Sequence, residues 1–174
     1  MKKIYCIIFM MLLGVQTAHA DRNDGAYAYL QGDYETAYNT MISLANTSED
    51  PIAQYYLGVM YVKGQGVEQD YEKAGEWFRK ASEQGLAVAM YKLAKLYTKG
   101  EGVPKDLEFS YVWYSVAAVH EHQKSINMIE EAKSRLSSEE LTSANQLVAE
   151  YVEKYGPKDE EEGKTIGTDP TAKK

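Results

Sequence analysis

The chain has 174 residues, one domain's worth, and 44% of them are hydrophobic, enough to build a core. A formal net charge of −7 argues against binding nucleic acid or an anionic membrane. The single cysteine, Cys6, can form no internal disulfide, so stability has to come from packing.

The first twenty residues read as a secretory signal peptide. Lys2 and Lys3 form a charged start, Ile4 to Val15 an apolar run, and Ala18-His19-Ala20 a small-residue end, with cleavage expected after Ala20. The run is short of the roughly 20 apolar residues a membrane span needs, and the polar Asp21-Arg22-Asn23-Asp24 follows it directly. Cleavage would remove Cys6 together with Lys2 and Lys3, leaving a mature chain without thiols and with a formal charge of −9. The expected destination is the periplasm, and secretion beyond it stays open.

From Ala53 to Ala118 the chain repeats itself with a period of 36 residues and no gap. Ala53 pairs with Ala89, Tyr55 with Tyr91, Leu57 with Leu93, Tyr61 with Tyr97, Gly64 with Gly100 and Gly66 with Gly102. Asp70 pairs with Asp106 and Trp77 with Trp113. A fixed period of this size is the mark of one supersecondary unit stacked on itself, an all-α solenoid of antiparallel helix pairs.

Taken in chain order, residues 21–50 form a degenerate first repeat with a short leading helix. Its Gly32-Asp33-Tyr34-Glu35-Thr36-Ala37 echoes Gln69-Asp70-Tyr71-Glu72-Lys73-Ala74. Residues 51–86 form the first clear repeat. Asp50 caps and Pro51 opens its helix A, and Ala53, Leu57, Met60 and Tyr61 share one face. Gly64 ends that helix, and Asp70 starts helix B, whose inward stripe is Tyr71, Ala74, Trp77, Phe78 and Ala81.

Residues 87–122 repeat the pattern, with helix A over about Ala87 to Lys99 and helix B over about Asp106 to Val119. Residues 123–155 supply C-terminal capping helices. Ile126, Ile129, Ala132 and Leu136 mark one, and the capping box Ser137-x-x-Glu140 opens the other. Residues 156–174 mix glycine, proline and charges of both signs, the composition of a disordered tail.

The shared pattern A-x-x-x-L-G/A-x-x-Y-x-x-G-x-G-V-x-x-D-x-x-x-A/S-x-x-W-x-x-x-A resembles the Sel1-like repeat (SLR) family, a relative of the tetratricopeptide repeats. The resemblance is strong over Pro51 to Glu121 and departs from the family where Gly58 becomes Ala94, Ala74 becomes Ser110, and Gly85 becomes Glu121. It implies a right-handed αα superhelix whose A helices line a concave surface. It also implies an adaptor or scaffold that binds another protein, a description that includes an immunity protein neutralising a periplasm-targeted toxin, or a factor in envelope assembly or motility. Some exported, cysteine-rich members are described as binding penicillin or hydrolysing β-lactams, so a β-lactamase-like enzyme is the rival reading. A secreted, host-directed virulence factor is a third.

The residues offer little for catalysis. His120 and His122, the only histidines past residue 20, lie two apart and are read as exposed residues at a helix junction, pointing to different sides of a helix and unsuited to share a metal. Gly64-Gln65-Gly66 and Gly100-Glu101-Gly102 lack the Gly-Lys-Ser/Thr that follows in a phosphate loop, and their recurrence makes them turns. No catalytic residue, metal or cofactor is expected.

The positions where the copies disagree carry more information. Tyr55, Tyr61, Tyr91 and Tyr97 recur and are expected in the core, whereas Tyr56 aligns with Lys92 and Val59 with Lys95. Tyr27 and Tyr29, in the short first helix, stay ambiguous. Lys92, Lys95 and Lys99 make a basic stripe on one helix, with Lys63 the equivalent of Lys99. Tyr56, Lys63, Lys92, Lys95 and Lys99 are therefore the candidate partner-binding residues, and their charge favours an acidic protein or peptide.

Overall fold

The computed structural model describes residues 22–158, and among these every regular element is a helix. Helix α1 covers residues 22–31, followed by α2 (Tyr34–Thr47), α3 (Pro51–Lys63), α4 (Tyr71–Glu83), α5 (Ala87–Lys99), α6 (Leu107–Val119), α7 (Gln123–Ser134) and α8 (Ser138–Tyr155). The expected signal peptide and most of the expected tail lie outside the described residues.

Local chemistry sets the helix ends. Asp50 Oδ1 accepts from the N–H groups of Ile52 and Ala53 at 2.9 and 3.0 Å, so two orphan donors of α3 are satisfied by one carboxylate. Its other oxygen takes Arg22 of α1 at 3.1 Å, which ties the first pair to the second. Asp70 and Asp106 cap α4 and α6 in the same way, accepting from Lys73 and Phe109. Helix α5 begins without such a cap, since Leu86 stands at its N-cap position. Ser137 and Glu140 form both halves of the capping box that opens α8.

The turn glycines hold the solenoid together. Gly66 (φ 74°) and Gly102 (φ 69°) lie in the A-to-B turns of successive repeats. A side chain on Gly66 would strike the carbonyl of Tyr34, and one on Gly102 the carbonyl of Tyr71. Tyr34 and Tyr71 are the first residues of α2 and α4. Each turn thus seats on the second helix of the pair before it, and α2 plays toward α3 and α4 the part α4 plays toward α5 and α6.

Packing is continuous along the stack. Ala28, Ala37 and Met60 join α1, α2 and α3, while Met41, Leu44, Ala45, Ala53 and Leu57 join α2 to α3. The largest cluster runs from Tyr61 through Phe78, Leu93, Val112 and Tyr114 to Ala132 and Ala144. A side chain on Gly58 would strike the Phe78 ring, a close α3–α4 approach, and the equivalent position of α5 holds the small, fully buried Ala94. In α7 the buried positions are Ser125 and Ala132, whereas Ile126 is 43% exposed and Leu136 lies beyond the helix end.

Candidate functional site

The first helices of the pairs present an open face. Tyr61 is buried in the core as expected, but Tyr55, Tyr91 and Tyr97 are only half-buried. Their rings pack inward while part of each edge remains at the surface, a position that suits an amphipathic side chain. Tyr56 is half-buried too, and its ring meets Tyr29 at 5.3 Å and Tyr55 at 5.7 Å, both edge-on. Tyr29 in turn meets Tyr34 at 5.5 Å, making a strip of four tyrosines across α1, α2 and α3. Tyr27 is 65% exposed and stands outside this strip.

Lys63 borders the strip, and Lys95 lies beside Tyr91 of the next repeat. Lys63 Nζ donates to the Tyr29 hydroxyl at 3.0 Å, and that hydroxyl donates to Gln65 Oε1 at 2.8 Å. This bond holds the Lys63 ammonium above the usual lysine range. Lys95 Nζ lies 5.8 Å from the centre of the Tyr91 ring. Lys92 is half-buried, and burial, reinforced by the charges of Lys95, Lys63 and Lys124, pushes its ammonium below the usual lysine value.

Of the five residues singled out from sequence, Tyr56 and Lys63 meet through Tyr29, and the charges of Lys63 and Lys95 reach Lys92. Lys99 behaves differently. It pairs with Glu101 of its own turn at 3.2 Å, so its charge is already answered. Its repeat equivalent, Lys63, turns instead to Tyr29 on α1.

The structure adds residues that the repeat pattern did not single out. Lys124 belongs to α7, beyond the 36-residue alignment, and no periodicity pointed to it. The His122 ring stacks obliquely on Tyr91 at 5.1 Å. Neither histidine lies inside a helix. His122 is the N-cap of α7, its Nδ1 accepting from the Ser125 N–H at 3.2 Å, and His120 ends α6, its Nε2 donating to the Tyr155 carbonyl at 2.8 Å. Both are half-buried rather than exposed, because each ring serves a helix end. Burial, then the Lys124 charge, pushes His122 below the ordinary histidine value.

Elsewhere, a recess of about 500 Å³ lies against α4, lined by Glu72, Glu76, Arg79, Lys80 and Glu83 among others. Its charges are of both signs, and it holds no nucleophile paired with a base. Among the described residues no group of three His, Cys, Asp or Glu could hold a metal ion, and no helix is long and apolar enough to cross a membrane.

Comparisons with known proteins agree with this architecture. Residues 51–86 and 87–118 each match the Sel1 repeat. A protective antigen present in uropathogenic Escherichia coli strains, which displays an SLR fold, is similar to 80% of the chain at 29% identity with a TM-score of 0.76. A Sel1 repeat protein from Oxalobacter formigenes is similar over 75% of the chain at 30% identity with a TM-score of 0.62. The chain spans 31% of the first structure and 55% of the second. No curated protein sequence matches it. Sel1 repeats generally mediate protein–protein interaction and typically form non-enzymatic scaffolds. The chain carries two Sel1 repeats and folds as a Sel1-like repeat α-solenoid.

Proposed function

We propose that the chain is a non-enzymatic periplasmic interaction module that holds a protein partner on the face formed by α3 and α5. The observation that carries this reading is that two residues at which the repeats disagree, Tyr56 and Lys92, stand on that face half-exposed, whereas most of the shared residues are consumed in packing. A rigid face loses little conformational freedom on association. The half-exposed tyrosines supply contact area, and Lys63, Lys92 and Lys95 orient the partner through their charge.

The reading is tested by displaying tagged residues 21–174 to a periplasmic extract and identifying what is retained. Lys92→Glu combined with Lys95→Glu should release the retained protein, and more completely at low salt, where exposed charges are least screened. Equal retention by the double variant removes the face from consideration. A toxic enzyme among the retained proteins identifies an immunity role, and an envelope component identifies an assembly role. Recovery of the native protein from the periplasmic fraction, and not the cytoplasm, checks the location.

A further inference from the structure

Helices α4 and α6 are repeat equivalents, yet their outer faces differ. On α6, Tyr111, Val112, Ser115 and Val116 are buried, and Val112 and Val116 share one cluster with Ala144 of α8. Helix α8 packs along α6: Tyr111 donates to Asn145 at 3.0 Å, and Trp113 takes the rings of Tyr151 and Tyr155 at 5.2 and 5.8 Å. One repeat earlier the four positions are Gly75, Glu76, Arg79 and Lys80. There Glu76, Arg79 and Lys80 are exposed, Gly75 brings no side chain where Tyr111 brings a ring, and the recess of about 500 Å³ opens.

The two cations of this recess are already engaged. Arg79 donates to the Tyr97 hydroxyl at 3.1 Å, and Lys80 Nζ lies 4.2 Å from the centre of the Trp77 ring. The carboxylates of Glu72, Glu76 and Glu83 enter none of the ion pairs among the described residues. They stand at helical spacings of 4 and 7, hence on one side of α4, and span about 16 Å along it. An apolar outer face such as that of α6 needs a permanent cover, whereas a charged one stays stable in water and takes a cover reversibly.

We infer that the outer face of α4 docks a basic helix of a partner protein, laid over α4 as α8 is laid over α6, with lysine or arginine side chains on Glu72, Glu76 and Glu83. This face is built on a second helix and is separate from the face of α3 and α5, so the two readings stand or fall independently. Charge complementarity selects the occupant: the carboxylates repel nucleic acid and anionic lipid and attract a cationic segment. A second copy is a rival occupant, and so is the chain's own end, which carries Lys164, Lys173 and Lys174. The end is the poorer fit, because Asp159-Glu160-Glu161-Glu162 precedes those lysines and is repelled by the same carboxylates.

The probe is a synthetic alanine- and glutamine-based helical peptide of about 18 residues, long enough to hold a helix, with three lysines at spacings of 4 and 7. It is titrated into isotope-labelled residues 21–174 and followed by amide chemical shifts. Shifts should gather on α4 and on the Gly102-Val103 turn beside the recess. Glu72→Gln combined with Glu76→Gln should weaken binding about fivefold, the effect of losing two exposed charge pairs, and added salt should weaken it further. Glu130→Gln combined with Glu131→Gln, the same change of charge at exposed positions of α7, should bind as the wild type does.

Unchanged binding by the α4 variant, an equal loss in the α7 variant, shifts on another face, or no binding at millimolar peptide overturns the inference. An equal loss in both variants means only that an acidic chain attracts a basic peptide. If the peptide binds only after residues 159–174 are deleted, the chain's own end is the occupant and the partner assignment is wrong. Self-association in sedimentation that the α4 variant abolishes assigns the face to a second copy and equally overturns it.

Discussion

Gly102 sits directly on the backbone carbonyl of Tyr71, the turn of one repeat seated on the opening residue of α4 in the repeat before. Its φ of 69° is unfavourable for any side chain, and the contact leaves no room for a Cβ. Gly102→Ala should therefore lower stability by more than about 2 kcal/mol in urea unfolding. Gly32, with φ 82° and nothing near its missing Cβ, separates the two causes. Gly32→Ala should cost only about 1 kcal/mol, the conformational part alone.

The Ser115 hydroxyl is buried in α6 and finds no hydrogen-bond partner among the described residues. An unsatisfied buried hydroxyl costs more than it contributes, and alanine also favours the helix. Ser115→Ala is expected to raise stability by about 1 kcal/mol, read as an upward shift in the urea midpoint at constant slope.

Tyr29 links α1 to α3 through its hydroxyl, accepting from Lys63 and donating to Gln65. Tyr29→Phe keeps the ring contacts with Tyr34 and Tyr56 and removes only these bonds. Stability should fall by about 1 kcal/mol. Amide exchange should quicken chiefly in α1, the helix this hydroxyl tethers.

His122 caps α7 through an unprotonated Nδ1, and its folded-state value lies below the ordinary 6.5 because of burial and the Lys124 charge. A histidine held below its unfolded value favours folding in the neutral form. Its contribution is complete above about pH 6.5 and is lost as the pH falls through the folded value. Stability of the wild type should thus decline on acidification relative to His122→Asn, which keeps a side-chain acceptor for the cap and does not titrate. Parallel urea midpoints for the two proteins between pH 7.5 and 5 would show that the ring is not the titrating element.

Most of the architecture was legible because its signals are local. Asp50, Asp70, Asp106 and Ser137 cap helices within three residues of themselves, so helix starts follow from short stretches of chain. The 36-residue period marked Gly66 and Gly102 as turns. Their seating on Tyr34 and Tyr71 appeared only when the pairs were stacked. His120 and His122 looked like exposed junction residues because their partners, Tyr155 and Tyr91, lie more than thirty residues away.

By itself the sequence determined an all-α repeat of helix pairs and separated the residues spent on packing from those left over, since a period repeats only what every unit needs. The tertiary structure alone decided how the leftover residues group. It joined Tyr56 to Tyr29, turned Lys63 away from its equivalent Lys99, and brought Lys124 from outside the repeats to bear on Lys92. Charge and ring contacts act across a few ångströms of space and not along the chain, so no spacing rule could place them.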